Sequence, residues 1–198
     1  MDLSVFEQIA QGKQWGAQES ISGEGSSLNA TATIRRELPA LFRALGIQSL
    51  VDAACGDMNW MRQVDYKFER FIGVDISPTV IERVRQQEWP AQYHFQVGNM
   101  ATDIPPGADA LLCRDALVHL PLATIQQAVR LWKMAGFRFL IVTTFTEKKA
   151  NRDIAAGEWR PLNMEAAPFN WPVPEFLIPD IDGTGYPYHD KSLGVWRL

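Results

Sequence analysis

Acidic side chains follow two predicted β-strands close to the points where those strands end. The stretch SLVDAACGDMNW, residues 49–60, starts as an apolar strand and then places Asp52 and Asp57 on either side of the small residues AACG. Asp75 lies near the end of the next apolar stretch, ERFIGVDI. Small residues let backbone N–H groups approach a ligand, and an acid at the end of a second strand can accept hydrogen bonds from a ribose diol. The spacing therefore predicts a nucleoside-binding cleft.

The charge of this turn favours one kind of nucleoside over another. A dinucleotide brings a pyrophosphate, which requires a glycine-rich turn and a helix N-terminus without competing anions. Here the turn AACGDM has one glycine, between Asp52 and Asp57. S-adenosylmethionine has no phosphate and carries an ammonium and a sulfonium, which acids attract. The carboxylates therefore favour S-adenosylmethionine, while a Rossmann-type nucleotide-dependent oxidoreductase and a non-catalytic S-adenosylmethionine-binding domain stay open as alternatives.

Composition and charge exclude several other classes of protein. The chain has 198 residues, of which 46% are hydrophobic and 21% charged, as in one soluble folded domain. The net charge of −4 predicts no nucleic-acid partner. No apolar run approaches the ~18 residues of a membrane helix, and no secretory signal is evident, so we expect no membrane partner and a cytoplasmic location. The two cysteines, Cys55 and Cys113, predict buried reduced thiols and no metal site.

The pattern between residues 31 and 145 predicts alternating strands and helices, and hence a doubly wound α/β fold. Ser77 and Pro78 are expected to start one helix, Gly46 to end another, and Pro39 to kink or divide that earlier helix. The predicted strands span residues 48–53, 69–76, 92–98, 109–114 and 137–145, and a last strand at 191–198 is expected to pair with 175–181.

Two segments fall outside this alternation. Residues 1–29 are polar and rich in glycine and serine, which indicates an arm or lid over the cofactor. Residues 146–190 contain a stretch dense in proline and aromatic residues, which predicts an irregular cover on the substrate side. The domain itself is expected to span residues 30–198.

Four motifs together resemble those of class I S-adenosylmethionine-dependent methyltransferases. In chain order they are LVDAACGDMNW, FIGVDIS, FQVGNM and DALLCRDALVHLP, within residues 30–145. The resemblance implies a single domain with a mostly parallel seven-stranded sheet whose last strand is antiparallel, and methyl transfer from S-adenosylmethionine. The complete chain is also similar to a small bacterial group of such enzymes whose acceptor is undefined, with which it shares the arm and the ending KSLGVWRL.

The resemblance also implies roles for individual residues. Asp52 and Gly56 would line the methionine and ribose portion, and Asp75 would hold the ribose hydroxyls. The implied cofactor-binding residues are Trp15, Ser22, Gly23, Asp52, Ala53, Cys55, Gly56, Asp75, Ile76, Asn99, Met100 and Arg114. The family commonly has glycines where this chain has Ala54 and Met58, so we expect a less open turn here.

The sequence identifies the methyl acceptor less specifically than the cofactor. A small molecule, such as a metabolite or carbohydrate precursor with a hydroxyl, would suit the aromatic cover, where Trp159, Arg160 and Asn163 are candidate substrate-binding residues. A hydroxyl acceptor makes a base useful, and Asp115 and His119 are the candidates. Structural roles remain open for each, since the aromatics could be packing, the histidine could be buried and paired, and Arg114 could simply pair with Asp115 or another neighbour.

Overall fold

The computed structural model describes residues 4–15, 18–182 and 188–198. Within these ranges the chain forms four α-helices, seven β-strands and three short 3-10 turns. The helices are α1 (Ser4–Gly12), α2 (Ala32–Leu45), α3 (Pro78–Arg85) and α4 (Leu122–Met134). The strands are β1 (Ser49–Ala53), β2 (Arg70–Asp75), β3 (Tyr93–Val97), β4 (Ala110–Cys113), β5 (Phe139–Phe145), β6 (Phe176–Pro179) and β7 (Lys191–Arg197). The 3-10 turns are Glu24–Ser26, Met61–Gln63 and Leu117–His119.

The seven strands form one sheet in the order β3-β2-β1-β4-β5-β7-β6. Strands β1 to β5 are mutually parallel, whereas β7 is inserted between β5 and β6 and is antiparallel to both. The predicted fold, a single domain with a doubly wound and mostly parallel seven-stranded sheet, is confirmed. Strand order reverses at β1, which has β2 on one side and β4 on the other, and this is where open α/β sheets bind ligands.

Apolar layers cover both faces of the sheet. Leu50 and Val51 are neighbours on β1 and point to opposite faces, so they enter different layers. Phe42 of α2 belongs to one layer and Trp132 of α4 to the other, and both are fully buried. Each fully buried apolar side chain of this kind contributes about 1.5–3 kcal/mol. All seven residues of β5 are buried, which explains why this strand is so apolar in sequence.

The ends of α3 and α2 follow the sequence signals, but Pro39 does not divide α2. The Ser77 hydroxyl accepts a hydrogen bond from the Val80 N–H, and α3 begins at the proline that follows Ser77. Gly46 ends α2 in the left-handed conformation with φ 61°. α2 is one helix through Pro39, so the expected division is wrong. Packing of the buried stripe that includes Leu38 outweighs the hydrogen bond that proline cannot donate.

The N-terminal arm begins with a helix that its polar composition did not reveal. Glu7 of α1 accepts hydrogen bonds from the Ser77 hydroxyl at 2.5 Å and the Thr79 hydroxyl at 2.6 Å. A carboxylate is favourable at this position because the N-terminus of α3 carries partial positive charge. Ile9 and Ala10 of the same helix are buried. α1 is therefore docked onto the domain by a polar cap and a small apolar face.

The segment after β5 is irregular, as its composition predicts. Residues 146–175 contain no helix or strand, and β6 then pairs with β7 as expected from the sequence. Among the residues described, no helix combines the length and the apolar character needed to cross a membrane.

Candidate functional site

A cavity of about 130 Å³ lies beyond the carboxyl ends of β1, β2 and β4, at the point where strand order reverses. Ten of the twelve predicted cofactor-binding residues line it, and both predicted catalytic residues do so as well. They are Trp15, Ser22, Asp52, Cys55, Gly56, Asp75, Ile76, Asn99, Met100, Arg114, Asp115 and His119. The sheet topology alone gathers these residues, because parallel strands deliver their carboxyl ends to one edge.

Two of the predicted cofactor-binding residues are not among those that line the cavity. Ala53 is fully buried within β1. Gly23 is itself part of the arm, and a Cβ atom at this position would come 3.3 Å from the Trp15 carbonyl oxygen. Gly23 has φ +97°, so this position favours glycine for its backbone conformation.

Asp75 is held at the end of β2 by two backbone N–H groups. One carboxylate oxygen accepts from the Ser77 N–H and the other from the Gly56 N–H, each at 3.0 Å. Burial raises the pKa of this carboxyl, although the N–H donors oppose that rise. The side chain is thereby fixed in one orientation at the cavity wall.

Asp52 differs from Asp75 because no group of the described residues donates a hydrogen bond to its carboxylate. Its exposed fraction is only 3%. Burial and the nearby Asp75 carboxyl raise the pKa of Asp52 well above its usual range, and the Arg114 guanidinium only partly opposes this. A buried acid without donors is costly to ionise unless a cationic ligand joins it. The cavity therefore fits a ligand that carries positive charge.

The arm packs directly on the turn that follows β1. Gly56 has φ +58°, and a Cβ atom there would come 2.6 Å from the Ser22 hydroxyl oxygen. That same oxygen accepts from the Asp57 N–H at 2.9 Å. The Asp57 carboxylate accepts from the Ser20 hydroxyl at 3.0 Å and from the Ile21 N–H at 2.9 Å. Glycine is required here for close approach of the arm as well as for its backbone conformation.

This geometry corrects one expectation from the sequence. Asp57 was expected to belong with Asp52 to the acids that face the ligand. Its side chain is instead used by the arm, and it is not one of the cavity-lining residues. The acids that line the cavity are Asp52, Asp75 and Asp115.

Arg114 belongs to a buried network that we call the ion-pair tetrad: Arg114, Asp115, Asp180 and Lys191. Arg114 donates two hydrogen bonds to Asp180, both at 2.9 Å, and a third to the Gly25 carbonyl at 2.7 Å. Lys191 contacts Asp115 at 2.6 Å and Asp180 at 3.0 Å. Two cations and two carboxylates leave the tetrad neutral. Sequence reasoning did not identify Lys191, because a lysine that opens a strand normally indicates a solvated end, and it did not identify its partner Asp180.

The tetrad weakens the case for Asp115 as a base. Burial alone would raise the pKa of Asp115, but Lys191 and Arg114 outweigh it and hold that pKa below its usual value. A carboxylate stabilised in this way has little tendency to take a proton. Asp115 adopts φ 53°, in the left-handed region, and its N–H donates to the Thr143 hydroxyl at 2.9 Å.

His119 has a defined neutral form at the cavity wall. Its ring stacks on Trp15 of the arm, with ring centroids 4.3 Å apart. Its Nδ1 atom lies 2.9 Å from the Glu158 carbonyl oxygen, and because that oxygen can only accept, Nδ1 carries the proton. No described residue forms a hydrogen bond with Nε2. Burial lowers the pKa of His119, so Nε2 presents a lone pair at neutral pH.

The three predicted substrate-binding residues are not brought to this cavity. Arg160 is fully buried and donates to the Leu117 and Leu120 carbonyls, so it is not available to an anionic substrate. The Asn163 side chain donates to the Thr146 and Lys148 carbonyls within the irregular segment. Their contacts are those of structural residues, and both satisfy backbone groups that would otherwise be buried unpaired.

Trp159 is half-buried and belongs to an aromatic cluster at the end of β5. Its ring lies 6.1 Å from Phe145 and 5.1 Å from Tyr188. Trp159 directly follows Glu158, whose carbonyl accepts from His119. Trp159 is therefore next in sequence to a residue that contacts His119 of the cavity wall.

Asn99, Met100 and Cys55 combine structural contacts with a place on the cavity wall. The Asn99 side chain accepts from the Ala101 N–H at 2.9 Å, and the Met100 carbonyl accepts from an indole N–H of α4. Cys55 and Cys113 are buried free thiols, and burial raises the pKa of each. They are therefore protonated at neutral pH and serve as small apolar residues, which confirms the expectation of reduced buried thiols.

Several apolar residues of the wall were not predicted. They are Phe6, Ile9, Ala10, Ile21, Trp60, Val74, Val80 and Leu120. Those from α1 and the arm could not be found from the sequence, because nothing in a polar N-terminal segment indicates where it docks.

Comparisons with known proteins agree with this architecture. Residues 50–136 match the family model described as a methyltransferase domain. No curated protein matches the chain. The methyltransferase domain of bacterial CtHen1 is 17% identical, with 86% of this chain and all (100%) of that domain covered and a TM-score of 0.63.

Two further solved structures are similar. Magnesium protoporphyrin IX methyltransferase from Synechocystis PCC 6803, with bound S-adenosylmethionine, is 11% identical over 98% of this chain and 93% of that one, with a TM-score of 0.63. Mitomycin 7-O-methyltransferase is 18% identical over 87% of this chain and 55% of that one, with a TM-score of 0.65. At these identities the structural likeness establishes the fold. With the match to a methyltransferase-domain model in residues 50–136, a ligand-binding edge formed by β1, β2 and β4, and acids that favour a cation, the chain is similar to class I S-adenosylmethionine-dependent methyltransferases.

Proposed function

We propose that this protein is an S-adenosylmethionine-dependent methyltransferase that acts on a hydroxyl of a small molecule, such as a metabolite or carbohydrate precursor. One observation carries the proposal: the cavity that contains Asp52 and Asp75 is also lined by His119, whose Nε2 has a lone pair and no partner among the described residues. An amine acceptor can lose its proton to water, whereas a hydroxyl gains reactivity from a base during transfer.

The cavity residues fit the cofactor on the evidence of Asp52, an acid that is buried, lines the wall and receives no hydrogen bond from the residues that the structure describes. Asp52 would attract the positive charge of the methionine portion, and Asp75 would accept hydrogen bonds from the ribose. When bound, S-adenosylmethionine supplies a methyl group made electrophilic by its sulfonium. The protein then has to hold the acceptor oxygen in line with that methyl carbon and exclude water.

His119 is the better candidate for the base that takes the acceptor proton. Its Nδ1–H is fixed on the Glu158 carbonyl, which leaves Nε2 as the basic atom. Asp115 is held as an ion pair by Lys191, so proton transfer to it would break a 2.6 Å contact. We therefore assign Asp115 to positioning and His119 to proton abstraction.

The size and cover of the site support a small acceptor. Trp15, Ile21 and Ser22 of the arm close one side of the cavity, which leaves little room for a macromolecular surface. Trp159 offers an aromatic face beside Glu158, and we propose that it contacts the acceptor. The free thiols Cys55 and Cys113 fit a cytoplasmic location.

Ligand-induced thermal stabilisation tests the cofactor. A ligand that binds only the folded state raises its melting temperature by mass action. We expect S-adenosylmethionine and S-adenosylhomocysteine to stabilise the protein and NAD to leave it unchanged. Stabilisation by NAD alone would favour the oxidoreductase alternative.

Asp75→Asn tests the ribose contact. Hydrogen bonds to a charged group contribute about 1.5–3 kcal/mol, so we expect a ~10- to 100-fold loss of S-adenosylhomocysteine affinity by calorimetry. Asp65→Asn is the control, because Asp65 is exposed and does not line the cavity. Equal affinities for the two variants would contradict the assignment.

His119→Gln tests the hydroxyl acceptor and the base. We expect cofactor affinity within about twofold of the parent and turnover lowered by ~10²- to 10⁴-fold, the range typical of general-base removal. Turnover is measured by release of S-adenosylhomocysteine across a panel of hydroxylated and amino metabolites. Transfer to an amine with no loss in the variant would refute a hydroxyl acceptor, and cofactor binding without transfer to any acceptor would favour the non-catalytic alternative.

A further inference from the structure

Four consecutive carbonyl groups around His119 accept hydrogen bonds from one short segment. We call residues 117–120 the histidine turn and residues 152–160 the supporting segment. In order along the turn, the bonds are Arg160 Nη1 to Leu117 O at 2.8 Å, Arg160 N to Val118 O at 3.1 Å, Gly157 N to His119 O at 3.0 Å and Arg160 Nη2 to Leu120 O at 2.6 Å. The Glu158 carbonyl then accepts from Nδ1 of the imidazole itself. Position and tautomer of His119 are therefore fixed by the same segment.

Arg160 is the centre of this arrangement. Its side chain is fully buried, and its guanidinium bonds to three carbonyl oxygens, the third being that of Arg152 at 3.3 Å. No acidic side chain of the described residues forms an ion pair with it. Burial lowers the pKa of Arg160 to about 10, which still leaves the guanidinium charged at neutral pH. A buried cation that contacts only carbonyls is costly, and its position at the carbonyl end of a 3-10 turn is where such a charge is best accommodated.

We propose that Arg160 is a positioning residue for His119: the Arg160 guanidinium holds the histidine turn against the Glu158 carbonyl. The inference rests on the proposed role of His119 as the base. Arg160 is fully buried and does not line the cavity, so it acts through His119.

The charged groups that face His119 act in opposite directions. Burial of the ring lowers the pKa of His119 most, and the Arg160 charge lowers it further. The hydrogen bond to the Glu158 carbonyl and the Asp115 carboxylate raise it. Trp15 stacks on the ring and carries no charge. Loss of the Arg160 charge therefore removes one of two influences that keep the imidazole neutral.

Imidazole NMR of the cofactor-free protein tests the inference without any acceptor. The chain has three histidines, and His119 is assigned by comparison with His119→Gln. In Arg160→Met we expect the midpoint of the His119 titration to move to higher pH by about half a pH unit, a ~3-fold gain in proton affinity. We also expect ¹⁵N shifts to change from a single Nδ1–H tautomer to a mixture.

Arg160→Lys separates charge from geometry and covers the case in which Arg160→Met does not fold. Lysine keeps the charge but cannot donate to two carbonyls in the same planar way. We expect its His119 midpoint to stay near that of the parent while the tautomer signal becomes mixed. Arg130→Met, on the exposed face of α4, is the control and should change neither.

The positioning role of Arg160 and the proposed function can be refuted independently of each other. An unchanged midpoint and a single tautomer in folded Arg160→Met, or an unchanged tautomer in Arg160→Lys if only that variant folds, would overturn the positioning role even if the enzyme methylates a hydroxyl. Absence of methyl transfer with the expected NMR changes would overturn the function and leave the positioning of His119 by Arg160 established.

Discussion

The two acids of the cavity show how differently one residue type can be used. Asp75 accepts two backbone N–H groups and is ready to bind before a ligand arrives. Asp52 accepts none from the described residues, so its ionisation is unfavourable until positive charge enters the cavity. Asp75 therefore has a fixed orientation in the free protein, whereas the ionisation of Asp52 depends on the charge of the ligand.

Asp52→Asn tests this difference through stability. The pKa of Asp52 is raised in the folded protein relative to its usual value of 3.8, so the folded state binds more protons than the unfolded state at intermediate pH. Stability is then greatest at low pH and falls as pH rises from about 4 through the folded pKa. Asparagine has the same shape and cannot ionise, so the cofactor-free variant should melt about 2–4 °C above the parent at pH 8 and level with it near pH 4.

The measurement is a pair of thermal melts at each pH, with Asp65→Asn as the control. The variant should also lose part of the stabilisation that S-adenosylmethionine gives the parent. A variant that melts below the parent at pH 8 would show that the Asp52 carboxylate is stabilised in the free protein, contrary to its contacts.

At the scale of elements, the arm and the turn after β1 form one unit. Ser22 lies over Gly56, Asp57 holds Ser20, and the Asn59 side chain donates to the Ser26 carbonyl at 3.0 Å. In a dinucleotide-binding protein the turn glycine lets a phosphate approach. Here it lets another part of the same chain approach, which explains why a single glycine suffices.

Gly56→Ala tests this packing, with Gly107→Ala as a matched control. Both glycines have positive φ, 58° and 74°, so alanine costs roughly 1 kcal/mol at each. Only at Gly56 does the new methyl meet a neighbour, and overpacking adds about 1–3 kcal/mol. We expect urea denaturation to show the larger loss for Gly56→Ala, together with faster proteolysis within the arm.

The double variant Gly56→Ala with Ser22→Gly completes the comparison. Removing the Ser22 side chain opens space for the methyl, so the pair should recover most of the additional loss. Equal losses for the two single variants would show that the arm does not rest on Gly56 in solution.

At the scale of the whole molecule, the ion-pair tetrad connects parts of the chain that are far apart in sequence. Arg114 follows β4, Asp180 follows β6, Lys191 opens β7, and the Gly25 carbonyl belongs to the arm. Arg114 and Asp115 line the cavity, so the tetrad joins the outer strands and the arm at the candidate site.

Asp180→Asn should destabilise the protein strongly. It leaves two buried cations with Asp115 as their only carboxylate within the tetrad, and breaking a buried ion pair costs about 3–5 kcal/mol. Glu175→Gln is the control, because Glu175 forms an exposed pair with Arg197 that is worth at most about 1 kcal/mol. Urea denaturation of both variants measures the difference, and similar losses would mean that the tetrad contributes little.

The sequence predicted the sheet and its ligand edge better than the contacts between distant segments. Strand and helix periodicity is local, so β1 to β5 and the acids at their ends could be identified directly. α1 was missed because its apolar face is short, and Pro39 was misjudged because burial of α2 is a tertiary effect. Arg160 was assigned to a substrate since nothing in WRPLN distinguishes a buried arginine that binds carbonyls from an exposed one.

The position of β7 has a consequence for how the molecule is made. β6 pairs with β7 alone within the sheet, and β7 fills the space beside β5. During synthesis β5 and β6 leave the ribosome before β7, the strand with which both of them pair. The nascent chain therefore exposes one edge of β5 until residues 191–197 emerge, and a chaperone that shields strand edges would act on it in that interval.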